Sequence, residues 1–178
     1  MSPVPQPGPE RLEAPAGRPL VVGVVPGQPA LVALTAAAWA AAVGGRLDLA
    51  YADPERVVDQ ELADGSVRHS PLDPDLADDR WVQRQRGLED FLGQALDPTG
   101  VEWRFHYLAG RADRALTHLA RAVGAAGIVV GGRHPSRAER LHEFFAESVA
   151  LHLVRHQHRP VLVVPLSVVD WKAPLPWR

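Results

Sequence analysis

Apolar positions along the chain fall into short continuous runs that alternate with longer stretches of helical period. PLVVGVV, Pro19 to Val25, is a β-branched run with no polar interruption, the pattern of a strand buried on both faces. Pro26-Gly27 breaks it, and Pro29 suits the first turn of a helix. That helix is expected to carry Leu31, Leu34, Ala38 and Ala41 on one face and to end at Gly44-Gly45. RLDLAYA, Arg46 to Ala52, reads as a second strand. Asp53 to Asp79 is acidic, contains four breakers (Pro54, Gly65, Pro71 and Pro74) and lacks strong periodicity, so a loop or insertion is expected there, with a lid as one possible use.

Asp78 or Asp79 then caps a helix that aligns Trp81, Gln85, Leu88, Leu92 and Leu96. VEWRFHYLAG, Val101 to Gly110, alternates as an outer strand does. The following helix places Ala112, Ala115, Leu116, Leu119, Ala120 and Val123 on one side. A fourth strand at Ile128 to Val130 leads through glycines into a helical segment with Leu141, Phe144, Phe145, Val149 and His152, and PVLVVP, Pro160 to Pro165, is a fifth strand. Five strands separated by helices predict an α/β fold, an open parallel sheet covered on both faces, because each parallel pair needs a crossover. Ligands of such sheets sit at the carboxyl ends of the strands, at the topological switch point. The candidate crevice is therefore Val24, Val25 and Pro26, with the turn through Gln28, facing Gly131, Gly132, Arg133, His134 and Arg137.

Composition narrows the chemistry. The 178 residues suit one domain, flanked by a disordered proline-rich tail over 1–17 and a second tail over 167–178. A net charge of −2 argues against a nucleic-acid or anionic-membrane binder. With no cysteine, disulfides, thiolate metal sites and cysteine nucleophiles are excluded. No signal-peptide pattern and no run of about 18 apolar residues occurs, so the expected location is the cytoplasm.

The two ends of the strand–helix series, LVVGVVPGQPA and AAGIVVGGRHPS…ESVALHLVRHQHRPVLVVP, resemble the universal stress protein family over Pro19 to Pro165. The resemblance implies a flavodoxin-like, Rossmann-like five-stranded sheet of order 3-2-1-4-5 over residues 18–166. It also implies homodimerisation through the last strand, Pro160 to Val164. Some members bind ATP through G-x-x-G, nine residues, then G with Ser or Thr. Gly131 matches the first glycine, and Ser148 with Val149 matches the closing Ser-Val. His134 stands at the second glycine and Glu147 at the third, with twelve residues between them instead of nine. The family's aspartate after strand one falls on Val25 or Pro26.

These departures carry a physical cost. Glycines let backbone approach phosphate oxygens, whereas His134 adds a side chain, Pro135 removes an amide donor and Glu147 brings a like charge. Arg133 and Arg137 are the groups present that would bind phosphate in compensation. Three readings follow. One is a non-enzymatic regulator or interaction module with a degraded nucleotide site and no cofactor. The second is an ATP- or AMP-binding protein with weak or no hydrolysis. The third is a small-molecule or metal binder in the strand-end cleft.

His152 and His156, four residues apart, share a helix face and are the candidate metal ligands, set against a solvent-facing role at a helix C-terminus. Ser148 lacks a nucleophile-elbow sequence and reads as a capping hydroxyl. The run Asp73, Asp75, Asp78 and Asp79 reads as a solvated loop. Receiver-domain chemistry is excluded by Val25, Ala109 and Leu166 where acidic residues and a lysine would stand, and no dinucleotide-type glycine turn follows strand one. Trp39, Trp81 and Trp103 are expected in the core or at a dimer contact.

Overall fold

The computed structural model describes residues 8–73, 80–132 and 143–166, with backbone alone over 143–148. Five strands form the main sheet: β1 (Leu20–Gly23), β2 (Leu47–Asp53), β5 (Trp103–Ala109), β6 (Gly127–Gly131) and β7 (Val161–Val164). All neighbours pair in parallel, in the order β5-β2-β1-β6-β7. Leaving out a separate hairpin, this is the expected 3-2-1-4-5 arrangement, and the alternating VEWRFHYLAG segment is indeed an edge strand.

Side chains of successive strand residues point to opposite faces, and the core divides accordingly. Val22, Leu47, Leu49 and Val129 pack under helices α1 (Leu31–Val43) and α2 (Arg80–Leu96). Val21, Ala50, Ile128 and Val130 pack under α3 (Ala112–Ala122) and α4 (Glu143–His156). Complete burial of one such aliphatic side chain contributes about 1.5–3 kcal/mol.

Helix α1 buries a different face from the one expected. Val32, Ala33, Ala36, Ala37 and Ala40 are buried, while Leu31 and Leu34 are exposed. Its sequence, LVALTAAAWAAAV, is apolar almost all round, so period alone selects no face. Small side chains let the helix axis approach the sheet, and the bulky residues turn outward. Trp39 is likewise exposed, whereas Trp81 and Trp103 are partly buried against the core. The helix ends at Gly44, φ 67°, whose N–H bonds back to Ala40 and Ala41 carbonyls.

Asp53 to Asp79 is not simply a loop. It contains an antiparallel hairpin of β3 (Arg56–Glu61) and β4 (Val67–Pro71), turned at Asp64-Gly65 with Gly65 at φ 88°. Close approach also favours glycine at the turn, since a Cβ on Gly65 would collide with Leu119 of α3. The expected N-terminal tail is anchored in its second half. Glu13 pairs with Arg18 and lies 3.4 Å from His158, and Gly17 N–H donates to Val43 O at 2.8 Å.

Candidate functional site

The two halves of the expected crevice meet. Val24 N–H still reaches across to Ala50 O at 2.9 Å, after which the chain leaves the sheet at Val25, which is exposed. Pro26 and Gly27 (φ 75°) make the turn, and Gln28 closes it twice. Its N–H donates to Val25 O at 3.2 Å, and its Oε1 accepts Val25 N–H at 3.1 Å. The other end of the same amide, Gln28 Nε2, occupies the space beside Gly131 that a Cβ would fill, with Val32 and Leu166 close behind. Gly132 N–H donates to Val164 O at 2.6 Å. Gly131 thus makes room for the protein's own side chains.

Arg133, His134 and Arg137 lie outside the described residues, as does the side chain of Ser148. Val149 packs against the core under α3 and α4.

Beside this turn, a cleft of about 420 Å³ opens between Pro26, Gly27 and Gln28 on one side and Arg84, Gly87, Leu88 and Phe91 of α2 on the other. Arg84 leads from it into a polar cluster that sequence reasoning missed. Asp53, at the carboxyl end of β2, is buried. It accepts hydrogen bonds from Tyr107 Oη at 2.5 Å, Arg84 Nη1 at 2.6 Å and Glu55 N–H at 2.9 Å. Arg84 also reaches Glu55 at 3.3 Å and lies over the Tyr51 ring at 5.9 Å. The partners of Asp53 are 31 and 54 residues distant in sequence. The available signal was topological: Asp53 and Ala109 are in register in the parallel pair, so the residues ending both strands share one layer.

The hairpin roofs this cluster. Arg56 is 5 % exposed, lies 5.1 Å over the Trp81 ring and donates from Nε to His69 Nδ1 at 2.6 Å, while its Nη1 is buried without a hydrogen bond. His69 meets Trp81 edge-on at 5.1 Å, and Tyr107 meets Tyr51 at 5.4 Å.

Burial, together with its hydrogen bond to the Asp53 carboxylate, holds the Tyr107 phenol well above its ordinary pKa. Tyr51 is also raised, by burial and by the Asp53 charge. Burial opposes the charge on Arg84, but contacts with Tyr107, Tyr51 and Asp53 outweigh it and raise its pKa. His69 is lowered by burial and by the Arg56 charge. The cluster is thus a salt bridge between Arg84 and Asp53, with phenols held toward their neutral forms and an imidazole whose protonation is disfavoured packed around it.

His152 and His156 do not reach this crevice. They lie on α4, on the opposite side of the sheet, with rings 5.6 Å apart, and His156 Nδ1 donates to His152 O at 2.8 Å. Among the described residues no group of three metal-ligating side chains occurs, and no helix is long and apolar enough to cross a membrane.

The model of the universal stress protein family matches residues 17–165. A universal stress protein from Archaeoglobus fulgidus superposes with TM-score 0.59 at 18 % identity, covering 84 % of this chain and 94 % of that one. The Archaeoglobus fulgidus universal stress protein in complex with dAMP gives 0.56 at 18 % identity, with coverages of 83 % and 97 %. A universal stress family protein from Burkholderia pseudomallei gives 0.58 at 25 % identity, with 83 % and 95 %. Among curated proteins, nothing matches this chain. The domain match over nearly the whole strand–helix series, together with the 3-2-1-4-5 sheet, places this chain in the universal stress protein family.

Proposed function

We propose that this chain is a non-enzymatic regulator or interaction module whose nucleotide crevice has been closed by its own side chains. The observation that carries this reading is Gln28. Its amide satisfies the Val25 N–H and fills the space beside Gly131, the first glycine of the family's phosphate motif. The altered positions His134 and Glu147 in the sequence point the same way. We further propose a cytoplasmic homodimer formed through β7, an edge of the sheet on which Val163 is exposed. Isothermal titration with ATP, AMP and cyclic AMP tests the closed crevice. No heat up to millimolar ligand is expected, and micromolar binding of any of the three would overturn it.

The second reading, a bound mononucleotide without hydrolysis, is favoured by the 420 Å³ cleft, which sets an aromatic ring, Phe91, beside a guanidinium, Arg84. The dAMP complex of the Archaeoglobus fulgidus protein gives it context. Arg84 is already held by Asp53 and Glu55, which weakens its call on a phosphate. Should nucleotide bind, Phe91→Ala is expected to abolish the heat, and unchanged affinity would place the ligand elsewhere.

A further inference from the structure

On the other side of the sheet, α3 and α4 border a groove of about 450 Å³. Arg114, His118 and Arg121 stand at helical spacing along its α3 wall, and His152 and His156 stand on its α4 wall. We propose that this groove binds a small, multiply charged anion of the linked-phosphate class, independently of the strand-end crevice.

The charge balance inside the groove supports an anion. Two carboxylates line it, and each is engaged. Asp113 is gripped by Arg111 through Nε at 3.1 Å and Nη2 at 2.9 Å. Glu61, from the end of β3, lies 3.1 Å from His118 Nδ1. Arg114 and Arg121 are exposed, and among the described residues neither has an ion pair. Two guanidinium groups are therefore available, with donors in the geometry that phosphate accepts.

Spacing favours the class. Seven residues of α-helix set the two arginine backbones roughly 10 Å apart along the axis, so extended guanidinium groups can each hold a different phosphate of a linked pair or triplet. The groove's histidines, His118, His152 and His156, form no group of three metal-ligating side chains with the carboxylates among the described residues, so the two unpaired guanidinium groups set its preference. A nucleic-acid track would need a longer basic surface than one groove on a chain of net charge −2.

Sodium tripolyphosphate is the probe. At low ionic strength, titration into the full chain is expected to give saturable heat that weakens as salt is added. In the double variant R114A/R121A affinity falls by about tenfold or more, the loss of roughly 1.4 kcal/mol or more of binding free energy. Both side chains lie on the surface, so the melting temperature of that variant should stay near wild type. Phe91→Ala, in the cleft beside Gln28, should leave tripolyphosphate binding unchanged, which separates this site from the other one. Absence of heat, or equal affinity in R114A/R121A, overturns the proposal. Co-sedimentation with vesicles of phosphatidylcholine and phosphatidylinositol 4,5-bisphosphate without any tripolyphosphate heat overturns the free anion in favour of a lipid headgroup.

Discussion

The carboxyl ends of β1 and β6 and those of β2 and β5 lie in the same sheet, one strand apart, yet they are finished in opposite ways. At β1 and β6 the chain turns through proline and glycine, and a neutral amide, Gln28, fits beside a glycine among Val32 and Leu166. At β2 and β5 a buried carboxylate holds a tyrosine and an arginine under a roof of Trp81, His69 and Arg56. Topology designates the first place as the ligand crevice, while the charged chemistry is concentrated in the second. Fold position and chemistry are thus separable, even within one rim of one sheet.

Substitutions at the two ends should separate them in magnitude. Asp53→Ala should be the most damaging, because it removes the buried acceptor that Tyr107 Oη, Arg84 Nη1 and Glu55 N–H share and leaves Arg84 only the exposed Glu55. A loss of about 3 kcal/mol in urea unfolding is expected, and a loss below about 1 kcal/mol would mean that the cluster is decorative. Tyr107→Phe removes one donor to an ionised acceptor and should cost about 2 kcal/mol by the same measurement.

Gly131→Ala should cost about 1 kcal/mol, because the added methyl displaces the Gln28 amide and with it the bond to Val25 N–H, while Val32 and Leu166 stand just beyond. In a Gln28→Ala background that cost should shrink, and an undiminished cost would show that Gln28 is not what fills the space. The smallest effect concerns pH. The folded-state pKa of His69 is lowered, so the unfolded chain takes up its proton first. Stability should therefore be complete above the unfolded value near 6.5 and should fall as pH drops through it toward the folded value. His69→Gln should flatten that part of the profile in melting experiments, and an unchanged slope would assign it to another group.

The parallel sheet was legible because buried strands are written as uninterrupted β-branched runs, as in LVVG and GIVVG. The glycine turn after β6 and the Val24–Pro26 turn were legible as the switch point. The buried face of α1 was not, since a helix of alanines offers no contrast between faces. The hairpin was hidden because β3 has a single buried residue, Arg56, and so shows no apolar alternation. Its one local sign was Asp64-Gly65. Asp53, Arg84 and Tyr107 escaped because nothing local joins them. They become neighbours only when a parallel register aligns two strand ends and a helix crosses above.

The hairpin has one further consequence. Its base, at Arg56 and His69, rests on Trp81 of α2, while its tip, at Glu61 and Gly65, rests on His118 and Leu119 of α3. Those helices cover opposite faces, so the hairpin passes around the β5 margin, and both of its strands contact β5. An uncovered margin is a template on which foreign strands can add. Guarding the β5 side makes the sheet polar in a sense unrelated to charge: recruitment by strand addition has a blocked end, and any such growth is directed away from it.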